Sequence, residues 1–303
     1  MRVATYNLRY DSMPDSIAVQ ESLWNLPDPL VPPEFLGMRG EQPWSARRLK
    51  IMQIIRDEDL EIIGFQEALL RQVNDLQELL DDGGFDGEFS PVFYRKYDDL
   101  VTRHTSFEPS KFPGVGSVRI CTVCCFKVKG GLSADSRHDI MTILNTHLDD
   151  QSDDQRCLAA SLLLTRARYE AVSKQGPVIL LGDFNSTPTG SDSGAYNITT
   201  GASQPLPIDP TFADKYVVPS DKELSFHFQD LRAVTPRPFI SGNYATFTGF
   251  VDPWNTSQYA RIDFIFGGTN GYWSVTSYHV STSLTDDGVL ASDHRPVIVD
   301  LNF

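Results

Sequence analysis

The chain has 303 residues, a mass of 33.9 kDa and a formal net charge of −14 at pH 7. Hydrophobic residues make up 41% of it, which excludes a wholly disordered chain. The acidic charge disfavours a protein that coats nucleic acid by neutralising phosphates. Its four cysteines are too few for a disulfide scaffold, and three fall in one strand-like run, so we expect free thiols.

Strand and helix patterns alternate along the chain. Alternating or continuous apolar runs predict strands, and apolar residues repeating with the helical period predict helices. The predicted strands lie at 1–8, 62–65, 118–126, 140–146, 177–181, 246–250, 262–266, 273–281 and 296–301. The predicted helices lie at 45–55, with Ser45 as N-cap, at 69–80, closed by Gly83 and Gly84, and at 154–174.

Two stretches, about 13–44 and 186–243, interrupt these patterns and are rich in proline, glycine or serine. Both contain large apolar residues, among them Trp24 and Phe212, so we interpret them as long ordered loops on a single domain over residues 1–303. The N-terminal segment lacks the apolar core of a signal peptide, and no apolar run approaches ~18 residues. We therefore expect an intracellular, cytoplasmic monomer without stable membrane association.

Polar side chains recur where the predicted strands end. In packed α/β sheets, ligands bind at strand ends because loops converge there. Taken singly, these residues have structural alternatives, since Asn7 and Asp183 suit turns, Glu67 suits a helix cap and His147 suits a core position. The recurring residues are Asn7, Gln66, Glu67, Asn145, His147, Asp149, Asp183, Asn185, Asp263, Asp293 and His294.

The residue types at these strand ends indicate a chemistry. Asparagine, glutamate and aspartate oxygens are hard ligands that suit Mg²⁺ or Mn²⁺. No thiolate belongs to the set, which disfavours zinc and copper. Histidines beside carboxylates suit proton transfer and the stabilisation of developing charge. Together the residues predict metal-assisted attack of water on phosphorus.

Six segments carry these residues, in order, within residues 4–299. They are Ala4–Arg9 (ATYNLR), Gly64–Glu67 (GFQE), Leu144–Asp149 (LNTHLD), Leu181–Asn185 (LGDFN), Arg261–Ile265 (RIDFI) and Ser292–Pro296 (SDHRP). As a set they resemble the endonuclease/exonuclease/phosphatase superfamily, which is deoxyribonuclease I-like, and look nearest to a small stand-alone branch related to poly(A) deadenylases. The resemblance implies an α/β fold, a four-layer sandwich of two packed mixed β-sheets flanked by helices.

The resemblance also implies a catalytic set. Asp183, helped by Asn185, would align or deprotonate the attacking water. His147 would donate to a phosphoryl oxygen as negative charge develops there. His294 would contact the phosphate and be held in its tautomer by Asp263.

The same resemblance implies a metal site and contacts to the substrate. Asn7 and Glu67 would hold Mg²⁺ or Mn²⁺, with Asp293 nearby. Four flanking residues are expected to contact the substrate, namely Tyr6, Arg9, Asp149 and Arg295. For Tyr6, Arg9 and Arg295 the alternative is packing or surface pairing.

Two departures from the family pattern stand out. Residues 104–111 lack the apolar strand that many relatives have there, so we expect a sheet strand to be missing or replaced. Many relatives also have a further histidine directly after the His-Leu-Asp triplet, where this chain has Asp150. A base or phosphate contact at that position is therefore in doubt.

The favoured substrate is short or single-stranded nucleic acid, cleaved by a Mg²⁺-dependent nuclease of the 3′→5′ exoribonuclease type. Aromatic residues such as Trp24, Phe35 and Trp254 would stack on bases, and loop packing is the alternative for each. One alternative function is a phosphatase or phosphodiesterase for a small or lipid phosphate, of the inositol phosphate or sphingomyelinase type. Another is a non-catalytic binding module that kept the fold.

Overall fold

The computed structural model describes residues 1–26, 40–81, 84–87, 92–95, 100–107, 119–128, 140–219, 225–252, 254–285 and 288–303. Phe35 and Gly83, named above as a stacking residue and a helix stop, lie outside these ranges. The strands are β1 Arg2–Asn7, β2 Ile62–Gln66, β3 Phe85–Gly87, β4 Val92–Arg95, β5 Leu100–Phe107, β6 Cys121–Val128, β7 Ile140–His147, β8 Val178–Asp183, β9 Phe228–Asp230, β10 Ile240–Gly242, β11 Asp263–Gly268, β12 Ser274–Val280 and β13 Val297–Asn302.

The described helices are mostly short, apart from three that cover the sheets. The longest, α4, begins after Ser152, whose hydroxyl accepts from the backbone N–H of Gln155, and it ends at Gln175 in the left-handed conformation. No helix in the described ranges has an apolar stretch of the length needed to cross a membrane. The helices are α1 Val19–Trp24, α2 Trp44–Asp57, α3 Leu70–Leu80, α4 Asp153–Lys174, α5 Gly194–Thr199, α6 Pro210–Lys215 and α7 Leu231–Val234.

Two mixed sheets contain all of these strands. One has seven strands in the order β10-β12-β13-β1-β2-β4-β3, and the other has six in the order β5-β6-β7-β8-β11-β9. In the first sheet β1 and β2 run parallel, and in the second β7 and β8 run parallel. In the central strands β1 and β8, every residue except Arg2 is buried, as expected for strands covered on both faces.

Three apolar cores separate four layers. The middle core lies between the sheets and includes Val3 and Ile143. One outer core packs α2 and α3 onto the seven-stranded sheet around Leu76, and the other packs α4 onto the six-stranded sheet around Leu163. Each fully buried side chain of this type contributes roughly 1.5–3 kcal/mol of transfer free energy. This layering confirms the predicted four-layer α/β sandwich.

Two glycines of the motif segments lie where any larger side chain would clash with neighbouring atoms. A Cβ on Gly64 would lie 2.3 Å from Cδ1 of Leu181 and 2.8 Å from Oδ1 of Asn145, because the two sheets approach closely there. Gly182 has φ +147°, and a Cβ would lie 2.0 Å from the carbonyl oxygen of Thr146 on the neighbouring strand. Both glycines therefore let backbone and side chains pack tightly beside the strand ends.

Several sequence-based expectations were wrong. A strand is present where one was expected to be missing or replaced, because β5 covers residues 104–107 of that stretch and pairs antiparallel with β6, while residues 108–111 lie outside the described ranges. Residues 246–250 form two isolated bridges at Phe247 and no strand, and Oγ1 of Thr246 accepts from the backbone N–H groups of Ile262 and Asp263. Ser45 lies inside α2, which begins after Pro43.

The stretch 186–243 is more regular than the sequence suggested. It carries α5, α6, α7, β9 and β10, and β9 forms an edge of the six-stranded sheet. Asp209 caps α6 by accepting from the backbone N–H of Thr211 at 2.8 Å, directly before Pro210. The expectation of free thiols is confirmed, since all four cysteines are free.

Candidate active site

Parallel pairing within each sheet brings four strand ends to one edge of the sandwich. In the seven-stranded sheet Asn7 of β1 lies opposite Gln66 of β2, directly before Glu67. In the six-stranded sheet His147 of β7 lies opposite Asp183 of β8. Because parallel strands end on the same side of a sheet, the polar side chains at these ends converge.

A histidine lies between two carboxylates at this edge. Asp263 of β11 is opposite Asp183 in the antiparallel register. Oδ2 of Asp263 accepts a hydrogen bond from Nδ1 of His294 at 2.9 Å, and Nε2 of His294 lies 3.6 Å from Oδ2 of Asp183. All three side chains are buried. The two distances show that each ring nitrogen of His294 faces a carboxylate.

This placement sets the charge of His294. Burial disfavours the imidazolium, but the charges of Asp263 and Asp183 outweigh it and raise the pKa of His294 to about 10. Burial raises the pKa of Asp263 to about 6, against the opposing effect of His294. At pH 7 the cluster therefore holds an imidazolium that faces two carboxylates.

One amide side chain joins the two sheets at the site. Nδ2 of Asn7 donates to Oδ2 of Asp183 at 2.9 Å and to Oε1 of Glu67 at 3.3 Å. The backbone carbonyl of Asn7 accepts from Oγ of Ser292 at 2.6 Å. Asn7 therefore ties both sheets to the segment that precedes β13.

Three residues around the site adopt left-handed backbone conformations. Arg9 has φ 57°, Glu67 has φ 59° and Asn185 has φ 47°. L-residues rarely adopt this region, and the cost persists where function requires the side-chain direction. The carboxylate of Glu67 accepts from the backbone N–H of Tyr10 at 3.1 Å, and the backbone N–H of Asn185 donates to Oδ1 of Asp183 at 2.9 Å.

The second histidine of the site differs from the first in its charge. Nε2 of His147 lies 3.5 Å from Oδ2 of Asp183 and 3.0 Å from Nδ2 of Asn185. Nη1 of Arg119 lies 3.3 Å from Nδ1 of His147. Burial lowers the pKa of His147, and the positive charge of Arg119 lowers it further, although Asp183 acts in the opposite direction. The site thus pairs a neutral imidazole with a charged one.

Acidic oxygens gather on the side of the site formed by Asn7 and Glu67. Burial raises the pKa of Asp293, and the negative charge of Glu67 adds to the effect. Oδ1 of Asp263 is buried and has no hydrogen-bond partner among the described residues. These hard donors and their mutual repulsion fit a divalent cation such as Mg²⁺ or Mn²⁺.

A second group of ligand atoms is less suited to a metal. Asp183, Asp263 and His294 bring one ligand atom each to within 4.8 Å of one another. A protonated imidazole has no lone pair to offer, and Nδ1 of His294 is already hydrogen-bonded to Asp263. This triad is better suited to contacting an anion and moving a proton.

A cleft of about 820 Å³ is lined by Glu67, His147, Asp183, Asn185, Asp293 and His294, whereas Asn7 and Asp263 lie behind its wall. Arg119, which the sequence analysis did not single out, lies on its wall, and Nη2 of Arg119 donates to Oδ1 of Asp150 at 2.5 Å. A signal for Arg119 was available, because β6 pairs antiparallel with β7 and its first residues lie beside the end of β7. Phe247 also lines the cleft, and its ring meets that of His294 at 5.0 Å between centroids.

Three of the four expected substrate contacts do not line this cleft among the described residues, whereas Arg9 does. Tyr6 is buried, and its hydroxyl pairs with Oγ of Ser283 at 2.8 Å. Oδ1 of Asp149 accepts from the backbone N–H groups of residues 151 and 152 at the turn before α4. The guanidinium of Arg295 lies over the ring of Tyr259.

Comparisons with known proteins agree with this architecture. A sequence model of the Endonuclease/Exonuclease/phosphatase family matches residues 4–294. A search of curated protein sequences finds no match. The endonuclease/exonuclease/phosphatase from Bacteroides vulgatus is 24% identical over 99% of this chain and 97% of that chain, with a TM-score of 0.67.

Two further solved structures share the fold. The mannosyl-6-phosphatase Bt3783 from Bacteroides thetaiotaomicron is 23% identical over 100% of both chains, with a TM-score of 0.65. The human Nocturnin catalytic domain is 18% identical over 100% of this chain and 94% of that chain, with a TM-score of 0.60. On the match over residues 4–294, the chain belongs to the endonuclease/exonuclease/phosphatase family, a family of phosphoesterases.

Proposed function

We propose that this chain is a divalent-metal-dependent hydrolase that directs water onto the phosphorus of a phosphate ester. One observation carries the proposal, namely that Asp183 lies within 3.6 Å of His294, 3.5 Å of His147 and 2.9 Å of Asn7. One phosphoryl group can therefore meet both imidazoles and the acidic oxygens at once. The fit of the family model to nearly the whole chain supports the same reaction class.

The metal would be held by Glu67 and Asp293, with the amide oxygen of Asn7 as a further donor. A bound Mg²⁺ supplies neutralisation of phosphoryl charge. The hydrogen bond from Nδ2 of Asn7 to Glu67 orients that carboxylate.

Asp183 is the proposed base that aligns and deprotonates the attacking water. Oδ1 of Asp183 is held by the backbone N–H of Asn185, and Oδ2 is held by Asn7 at 2.9 Å. A carboxylate fixed at both oxygens keeps its direction during the reaction, which is the condition for an efficient proton acceptor.

The two histidines would act on the phosphoryl oxygens. His294 carries its charge into the cleft and is kept in one orientation by Asp263 at 2.9 Å. His147 is neutral and donates a hydrogen bond without adding a full charge. A preorganised donor of this kind is typically worth ~3–4 kcal/mol of activation free energy.

For the substrate we favour a compact phosphate ester over a polynucleotide. The charge of Arg119 is offset by Asp150, and Arg9 lies 3.6 Å from Glu41 and 3.9 Å from Glu67. With a net charge of −14, the chain repels a polymer of phosphates at long range. A small ester needs only the contacts that the cleft itself supplies.

Cleavage of short single-stranded nucleic acid is the second candidate. Phe247 and the partly exposed Tyr10 both line the cleft, and aromatic rings of this kind stack on bases. The hypothesis of a 3′→5′ exoribonuclease rests on the resemblance of the motifs, and these two rings would supply a stacking surface for it.

One assay separates these candidates. The protein is incubated with Mg²⁺, with Mn²⁺ or with EDTA against a hexose 6-phosphate, an inositol phosphate, sphingomyelin, labelled oligo(A) and plasmid DNA. Metal-dependent release of phosphate or of a headgroup supports the compact ester, and stepwise shortening of oligo(A) supports the nuclease. Turnover that survives EDTA, or no turnover of any substrate by a chain that binds Mn²⁺, would contradict the proposal.

A further inference from the structure

Arg47 on α2 is a cation buried directly beside the site. Its side chain is fully buried, and all five of its hydrogen bonds go to backbone carbonyl oxygens. The acceptors are Leu8 at 2.7 Å, Gln42 and Ala291 at 3.0 Å, Arg9 at 3.2 Å and Tyr10 at 3.3 Å. The guanidinium thus uses its fork of donors to hold the chain rather than to neutralise one acid.

The carbonyls that Arg47 holds belong to the segments that carry the proposed metal oxygens. Residues 8–10 directly follow Asn7, and Ala291 precedes Asp293 by two residues. Leu8 also donates its backbone N–H to the carbonyl oxygen of Gln66, the residue before Glu67, at 3.1 Å. Arg47 therefore fixes the spacing between all three segments that present those oxygens.

The charge of Arg47 is offset only at a distance. Within the described ranges its one carboxylate partner is Glu41, with an oxygen 3.9 Å from Nη2 of Arg47. The rings of Trp44 and Phe250 lie 5.5 Å and 5.8 Å from the guanidinium carbon. A lysine here would keep the charge but would have three donors on a single atom and would not bridge five carbonyls.

We propose that Arg47 is a positioning residue that sets the affinity of the cleft for its divalent cation. This inference rests on the proposed metal-dependent function. By holding residues 8–10 and Ala291 at fixed separation, Arg47 preorganises Asn7, Glu67 and Asp293. Residues that orient metal ligands typically change metal affinity by 10–100-fold when they are replaced.

Arg48 provides a matched control. It is the next residue of the same helix and is equally buried, but it faces away from the site. It pairs with Asp75 at 2.7 Å and donates to the carbonyl oxygen of Ala18 at 2.6 Å and to Oγ of Ser22 at 2.5 Å. An Arg48→Lys substitution disturbs an equivalent buried network without touching the segments that carry the metal oxygens.

The test measures Mn²⁺ binding to the full chain by calorimetry, together with the thermal midpoint, for wild type, Arg47→Lys and Arg48→Lys. We expect both variants to have lower midpoints, but only Arg47→Lys to bind Mn²⁺ about tenfold or more weakly. A Mn²⁺ affinity of Arg47→Lys within twofold of wild type, or an equal loss in Arg48→Lys, overturns the inference. Failure of wild type to bind Mn²⁺ overturns the proposed function and this inference with it.

A second measurement needs no variant and covers the case in which Arg47→Lys does not fold. In wild-type protein with ¹⁵N-labelled arginine, titration with Mg²⁺ should shift the guanidinium signals of Arg47 and leave those of Arg48 in place. Equal shifts, or no shift of Arg47 while Mg²⁺ binds, contradict the proposal.

Discussion

Two buried polar clusters lie on β11 and its neighbours, and their charges are matched to different degrees. In the first, Arg261 donates to both oxygens of Asp230 at 2.8 and 2.7 Å, and the hydroxyl of Tyr196 donates to the same carboxylate at 3.0 Å. In the second, two residues further along the chain, Asp263 meets His294 through one oxygen only. Its neighbour across the ladder, Asp183, is a second acid.

The difference separates a group that holds the fold from the group that we propose performs chemistry. The Asp230 cluster pairs one acid with one base in bidentate geometry, which is how a buried charge is tolerated. The Asp263 cluster keeps like charges together and leaves Oδ1 of Asp263 without a partner among the described residues, so that folding alone does not satisfy its carboxylates. A ligand that brings positive charge would complete the second cluster, whereas both oxygens of Asp230 in the first already have partners.

The largest expected effect comes from Asp183→Asn in the unmatched cluster. Because the amide cannot accept the proton of water, we expect turnover to fall by about 10²–10⁴-fold. The lost acceptor costs about 1 kcal/mol, but relief of repulsion with Asp263 offsets it, so the free energy of unfolding should stay within about 1 kcal/mol of wild type. Steady-state kinetics and denaturant unfolding check both parts, and turnover within tenfold of wild type would remove Asp183 from the mechanism.

Replacing Asp230 in the first cluster should lower stability and leave turnover nearly unchanged, which is the opposite of the effect expected for Asp183. Asp230→Ala leaves the guanidinium of Arg261 buried without its partner, and we expect the free energy of unfolding to fall by about 3–5 kcal/mol. Turnover per folded molecule should stay within about threefold, measured well below the melting transition. The double replacement Asp230→Leu with Arg261→Met is the control and should recover most of the lost stability, and failure to do so would mean that the pair is more than a matched charge.

The partly exposed ion pair of Arg119 and Asp150 at the cleft provides a third comparison, between a weakly paired charge and the two buried clusters. Asp150 is half exposed, so its pairing with Arg119 contributes no more than about 1 kcal/mol to stability. We expect Asp150→Asn to leave the thermal midpoint almost unchanged and to lower KM for an anionic ester about two- to fivefold, because Arg119 then acts on the substrate alone. Kinetics at low and high salt check this, and an increase in KM would show that Asp150 itself contacts the substrate.

The smallest expected effect concerns a half-buried pair away from the cleft. The hydrogen bond from His279, helped by Ser281, lowers the pKa of Glu58 against its partial burial. Because the folded-state pKa lies below the unfolded value, the stabilisation is complete above the unfolded pKa and is lost as pH falls through the folded one. The stability difference between wild type and Glu58→Gln should be below about 1 kcal/mol at pH 7 and should vanish once the pH is low enough to protonate Glu58 in the folded state. A difference that does not change with pH would exclude this ionisation as its cause.

Strand-end chemistry was predictable from sequence because it depends on local patterns and one topological rule. Asn7, Glu67, His147 and Asp183 follow apolar runs, and strands that run parallel must end together. Asp263 was recognisable because a lone acid in an apolar strand requires a partner.

What escaped prediction depends on tertiary contacts. The sequence around Arg47 looks like that around any helical arginine, and only the packed structure reveals which carbonyl oxygens its guanidinium contacts. The strand β5 lies at a sheet edge with one paired side, so its sequence can stay polar and does not show strand periodicity. Tyr6 and Arg295 belong to motif segments, but Tyr6 on β1 is turned toward Ser283, and Arg295, which precedes β13, packs on the ring of Tyr259.

The left-handed backbone at Glu67 and Asn185 sets a limit on how this protein can adapt to heat. Glycine at either position would relieve roughly 1–2 kcal/mol of conformational cost. A selection for survival at high temperature would therefore favour such replacements, and each would delete a side chain to which we assign a role in the proposed reaction. Heat-adapted descendants that remain active must gain their robustness elsewhere, in loops and helices remote from these two positions.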